Sequence, residues 1–239
     1  MKRILSILTL LCISLSICAA YIEVNGIYYE KISYHNEVIV RGSNNGKYSG
    51  DIVIPDKINY KGTVYVVTTI GEGAFEKCSE LTSVTIPNSV KYIEKYAFYG
   101  CNKLTSVTIP NSVETIEECA FANCKTLSSL TIGSSVYFLS TWAFYGSENL
   151  SEIISFQVTP PSLGDQPFSK STYYDATLYV PVGCVETYKN SLWKYFYSIK
   201  EIGDSSSETT SQKLIVKFNN GSKKEYNMDD IESVDFSSE

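Results

Sequence analysis

The chain reads as a mainly β repeat solenoid, and three observations predict it. Ala-Phe recurs at Ala74-Phe75, Ala97-Phe98, Ala120-Phe121 and Ala143-Phe144, 23 residues apart each time. Leu81, Leu104, Leu127 and Leu150 keep that period, as do Ile70, Ile93, Ile116 and Leu139. Aligning residues 70–92 with 93–115 gives 14 identities in 23, and aligning 93–115 with 116–138 gives 11. One period held through several units marks a stacked-repeat architecture.

Within a unit the pattern is I-x-x-x-A-F-x-x-C-x-x-L-x-x-V-x-I-P-x-x-V. The run from Leu81 to Ile86 alternates at its end and is rich in β-branched residues, so it reads as a strand. Pro87-Asn88-Ser89 turns the chain. Val90 to Ile93 reads as a second short extended piece. Ala97 to Cys101 is too short for an independent α-helix and reads as a helical or 3₁₀ turn. A single unit cannot bury its apolar side, whereas stacked units pair strand on strand. In the second unit the inward set is Ile93, Ala97, Phe98, Cys101, Leu104, Val107, Ile109 and Val113.

The frame Leu104-x-x-Val107-x-Ile109-x-x-x-Val113, with A-F-x-x-C and the 23-residue period, resembles the BspA-like (Treponema pallidum-type) leucine-rich repeat family of bacterial surface proteins. The resemblance covers Ile70 to about Ser155 closely and both flanks more loosely. It implies a right-handed leucine-rich-repeat coil of 23-residue units, parallel strands alternating with short helical or 3₁₀ turns. It also implies a role in adhesion and host contact.

The flanks depart from the consensus, as caps over an open core must. Asp51 to Pro55 matches the strand-Pro element. Ile54 and Ile70 are 16 residues apart, against 7 between Ile86 and Ile93. The excess fits a hairpin-like insertion turning at Asn59 to Thr63. Upstream, Ile22 to Tyr34 and Val38 to Arg41 alternate like strands, and Gly42 to Gly50 reads as a polar loop. Downstream, Leu178 to Pro181 repeats the strand-Pro ending. Glu186 to Tyr197 spaces Tyr188, Leu192, Trp193 and Phe196 as on an amphipathic helix able to cover the last coil. Residues 203–212 read as a polar linker. Residues 213–239 read as a small β-hairpin unit turning at Asn220-Gly221, with Met228 to Phe236 returning as a third strand or turn. The expected organisation is therefore a leader over 1–20, an N-terminal cap over 21–69, repeats over 70–155, a capping repeat and helix over 156–202, the linker and the hairpin unit.

Residues 1–20 read as a signal peptide: Lys2 and Arg3, an apolar run from Ile4 to Ile17, and small residues at Cys18-Ala19-Ala20. Cleavage near Ala20 predicts a secreted or cell-surface protein. Leu15-Ser16-Ile17-Cys18 also resembles a lipobox, which would place a lipid anchor at Cys18, although Ile17 stands where a small residue is expected. No later segment has the apolar length of a membrane span.

The 239 residues are 44% hydrophobic, enough for a core, and carry a net charge of -6. Without the leader, Lys and Arg fall from 20 to 18 against 26 acids, giving -8. That balance disfavours a nucleic-acid partner, because no basic excess exists to displace phosphate counterions. One histidine, His35, leaves no material for a multi-histidine metal site. Cys78, Cys101 and Cys124 share one repeat position that Ser147 fills in the fourth unit. They read as buried thiols packing as small apolar residues, with a disulfide or soft-metal site as the other reading. Gly71-Glu72-Gly73 lacks the third glycine of a phosphate loop. Glu117-Glu118 and Asp229-Asp230 read as solvated faces. No catalytic, cofactor-binding or metal-ligating residue is assigned.

What remains is a surface. If Leu81, Val84 and Ile86 point inward, Ser83 and Thr85 point out, and stacking extends them to Ser106 and Thr108, then Ser129 and Thr131, then Glu152 and Ile154. Tyr96 and Tyr99 lie on the turns among 19 tyrosines, side chains that anchor interfaces. The expected partner is a protein, from a host or another bacterial surface. The other reading is a glycan stacked on tyrosines, and it requires Tyr96 and Tyr99 to form a flat exposed cluster.

Overall fold

The computed structural model describes residues 21–32, 35–43 and 47–204, and the backbone of two further strands. The leader, the Asn220-Gly221 turn and Met228 to Phe236 lie outside the described residues. The N-terminal part supplies β1 (Ile22–Val24), β2 (Ile27–Lys31), β3 (Glu37–Arg41), β4 (Gly50–Val53), β5 (Lys57–Tyr60) and β6 (Thr63–Ile70). Long and short strands then alternate: β7 (Leu81–Thr85), β8 (Tyr92–Ile93), β9 (Ser106–Ile109), β10 (Thr115–Ile116), β11 (Ser129–Ile132), β12 (Phe138–Leu139), β13 (Glu152–Ser155) and β14 (Ser162–Leu163). Helix α1 (Lys170–Asp175), β15 (Thr177–Val180), helix α2 (Val185–Lys189) and β16 (Ser198–Glu201) follow. Strands β17 (Lys213–Lys217) and β18 (Lys223–Asn227) pair antiparallel.

Each coil has three sides, and each side is hydrogen-bonded to the next coil except on the long-strand side between β7 and β9. On the short-strand side Ile70, Ile93, Ile116, Leu139 and Leu163 are successive parallel partners. On the long-strand side Val107, Leu130, Ile153, Leu178 and Ile199 are. On the turn side the amides of Phe75, Phe98 and Phe121 each donate to the alanine carbonyl of the following coil at 2.7 Å.

That third side is built from short turns closed by i→i+3 hydrogen bonds, such as the Tyr99 amide to the Tyr96 carbonyl, and they do not extend into a helix. Each coil places two residues in the left-handed region: Gly73 and Lys77, Tyr96 and Gly100, Cys119 and Asn123, Trp142 and Gly146. A left-handed residue at every fourth position stops a right-handed helix from propagating.

The core is one column. All eight residues of the inward set are 3% exposed or less. The rings of Phe75, Phe98, Phe121, Phe144 and Phe168 stack in sequence, with centroids 4.8, 4.8, 5.2 and 5.4 Å apart and interplanar angles of 13° or less. Their spacing follows the strand-to-strand distance of about 4.8 Å. Each fully buried phenylalanine contributes about 1.5–3 kcal/mol over an exposed one, and offset stacking adds about 0.5–1.5 kcal/mol per pair.

The ends show where sequence reading departs from structure. Ile22 to Lys31 is not one strand: Asn25 and Gly26, both at positive φ, fold it into the β1–β2 hairpin. An Asn-Gly pair between alternating segments favours this tight turn, because both residues tolerate positive φ. Within the supposed polar loop 42–50, Tyr48 is buried and its ring lies 4.8 Å from Phe75, closing the top of the stack. Glu186 to Tyr197 is not one helix. Its α2 ends at Lys189, and a 3₁₀ turn over Leu192–Tyr195 starts anew from Ser191, whose hydroxyl accepts from the Trp193 amide. The restart rotates Leu192 into solvent, while Tyr188, Trp193 and Phe196 are buried. Trp193 and Phe196 meet Phe168 edge-on and close the bottom of the stack.

Candidate binding surface

The long strands alternate inward and outward, so their outward side chains form two columns. One column registers Ser106, Ser129, Glu152, Thr177 and Ser198, and the other Thr108, Thr131, Ile154, Tyr179 and Lys200. Strand β7 adds Ser83 and Thr85, paired with Asp51 and Val53 of β4. The face is thus dominated by small uncharged groups.

Ser83, Thr85, Ser106 and Thr108 are exposed, whereas Ser129 and Thr131 are half-buried. The ladder is not continuous. Strands β4 and β7 form a separate two-stranded sheet, and the hydrogen-bonded ladder breaks between β7 and β9. Strand β4 meets β7 through an irregularity at Gly50/Asp51, the kind of bulge that raises local twist. The hydroxyls also differ in state. Ser83 and Thr82 both donate to the Asp51 carboxylate, at 2.6 and 2.8 Å, and Ser129 donates to Glu152 at 3.2 Å. Sequence reading missed Asp51 as an acceptor and Tyr179 as a member of the column. The strand-Pro ending at Leu178 to Pro181 carried the signal for Tyr179.

Tyr96 and Tyr99 sit on the turn side, away from the strand face. Both are half-buried, with centroids 5.9 Å apart and planes at 72°. That edge-on pair offers no flat platform for a sugar ring.

The shared cysteine position is more than apolar packing. The Cys101 thiol donates to the Phe75 carbonyl at 3.2 Å, Cys124 to Phe98 at 3.1 Å, and the Ser147 hydroxyl to Phe121 at 2.8 Å. All five cysteines among the described residues are free thiols. Burial pushes the Cys78 thiol up, and the neighbouring Cys124 thiol together with burial does so for Cys101. Among the described residues no group of three or more His, Cys, Asp or Glu is placed to hold a metal, and no helix is long and apolar enough to cross a membrane.

A coil of stacked parallel strands closed by aromatic caps, with a small-residue outer face, defines a leucine-rich repeat protein. The chain belongs to the BspA-type leucine-rich repeat family, whose model matches residues 68–197 with six copies. No curated protein matches the chain significantly. Among solved structures, the Treponema pallidum leucine-rich repeat protein is 19% identical, with a TM-score of 0.58 over 74% of this chain and 84% of that one. A leucine rich cell surface protein of Faecalibacterium prausnitzii is 20% identical, with a TM-score of 0.47 over 85% of this chain and 60% of that one. The pneumococcal vaccine antigen PcpA is 20% identical, with a TM-score of 0.47 over 70% of this chain and 51% of that one.

Proposed function

We propose that the protein is an exported, non-enzymatic adhesion module that binds another protein at the bacterial cell surface through its long-strand face. The observation that carries this reading is the exposed patch of Ser106 and Thr108 beside Thr85. These residues lie in strands whose inward partners are packed in or against the core, and among the described residues their side chains have no hydrogen-bond partner. Small hydroxyls on rigid strands lose little side-chain entropy on binding and offer both donors and acceptors. A solenoid presents such a face over a long distance for its mass. The leader-like residues 1–20 support export, with Cys18 as the point of lipid attachment if the lipobox is read.

The test is binding of immobilised extracellular-matrix proteins and proteins of co-resident bacteria to the purified chain, and to a Ser106→Arg, Thr108→Arg variant. A micromolar ligand lost in the variant, at unchanged melting temperature, supports the reading. No protein ligand at micromolar concentration overturns it.

A further inference from the structure

We infer that the groove between helix α1 and the last Ala-Phe turn is a binding site for a neutral oligosaccharide. The groove is open to solvent on one side and offers about 680 Å³, within the range of small-molecule sites. It shares no residue with the strand face and stands independently of the function proposed for that face.

Three phenol rings surround the groove while remaining largely in water: Tyr145, Tyr174 and Tyr195 are 45%, 60% and 59% exposed. Every phenylalanine of the stack finds a ring within the fold, so a cluster of large rings left at the surface marks a contact site. Its floor is firm. Tyr173 meets Phe168 at 5.9 Å and Tyr195 at 6.2 Å, both edge-on.

The rings share the groove with Glu148, Gln166 and Lys170. One acid and one base leave the site without net charge, in a chain carrying -6. Donors, acceptors and phenol rings at one neutral site match the two-sided chemistry of a pyranose, which has an apolar C–H face and a hydroxyl rim. A peptide is matched less well. No strand contributes to the lining, so a peptide backbone has no edge to pair with, and the polar groups interrupt what an amphipathic helix would need.

The walls are held before any ligand arrives. The Gly146 amide donates to the buried Ser169 hydroxyl at 2.7 Å, and the Phe144 amide donates to the Pro167 carbonyl at 2.7 Å. These bonds tie the Tyr145 side of the groove to the Gln166–Lys170 side. Gln166 itself is held at φ 45°, a left-handed conformation costly for a side-chain-bearing residue. Preorganised walls lower the entropic cost of binding.

The experiment is saturation-transfer NMR on the full chain with neutral trisaccharides of glucose, mannose, galactose and N-acetylglucosamine, with a proline-rich peptide as the competing probe. The expected result is transfer to ring C–H protons of at least one sugar. Tyr174→Ala with Tyr195→Ala should weaken that binding at least about tenfold, while the Ser106→Arg, Thr108→Arg variant binds as the parent does. Gln166→Gly, which relieves the left-handed backbone, should weaken binding without loss of stability. The inference is overturned if no sugar shows transfer at millimolar concentration, if neither variant changes it, or if the peptide alone binds. Loss of protein ligands from the strand face leaves all these outcomes readable.

Discussion

The Cys101 thiol donates a hydrogen bond to the carbonyl of Phe75, one coil earlier, at 3.2 Å. This bond explains why serine occupies the equivalent position at 147: what the site selects is a small donor that reaches back across one coil. Cys101→Ser is expected to cost less stability than Cys101→Val, which keeps the apolar bulk and removes the donor, a difference of about 1 kcal/mol. Urea unfolding of the two variants checks the order, and valine equal to serine would reduce the site to packing.

Phe98 lies between Phe75 and Phe121, stacked on both. Phe98→Ala should cost about 3–5 kcal/mol, because the cavity opens inside a column whose backbone is held on three sides and cannot collapse. Calorimetry or urea denaturation measures it. A near-zero loss would mean that the ring is not stacked inside.

Gly133 stands where the earlier coils carry Pro87 and Pro110. A Cβ added there would lie 2.5 Å from the Pro110 carbonyl oxygen. Since that neighbour is backbone, Gly133→Ala should shift the coil and cost about 1–3 kcal/mol. Gly62→Ala, with nothing within 4 Å of an added Cβ but φ at +81°, carries the positive-φ penalty without a clash, whereas Gly133→Ala carries the clash without that penalty. The melting temperatures should place Gly133→Ala at or below Gly62→Ala.

Burial pushes the phenols of Tyr48, Tyr173 and Tyr188 up to about 12 from 10.0, and lifts the Cys78 thiol above 9.0. The folded chain therefore keeps protons that the unfolded chain sheds. The associated stability is fully present below about pH 9 and is lost as pH rises through the interval from about 10 to 12. The urea midpoint should be flat from about pH 7 to 8.5 and fall steadily above about pH 9.5. A midpoint unchanged at about pH 11 would contradict the burial of these groups.

The repeat core was legible residue by residue, because period and side-chain direction are local properties. Ile93, Phe98, Leu104 and Val113 occupy the same environment as their counterparts 23 residues away, so one reading served every coil. The turns at Ala97 to Cys101 do not grow into a helix because Tyr96 and Gly100 are both left-handed, and at Tyr96, Cys119 and Trp142 no glycine announces that conformation. The single helix read over Glu186 to Tyr197 failed at Ser191, a cap whose effect is to restart the count.

The sequence alone determined which side chains turn inward within each coil, and therefore the stack itself. The tertiary structure alone decided what lies over its two open ends and which outward groups are already engaged. Tyr48 reaches Phe75 across 27 positions, Asp51 binds Ser83 across 32, and Tyr174 joins Tyr145 and Tyr195 around one groove. Such pairs follow no period. They arise only when separate coils are brought together, and their energies depend on three-dimensional distance rather than on spacing along the chain.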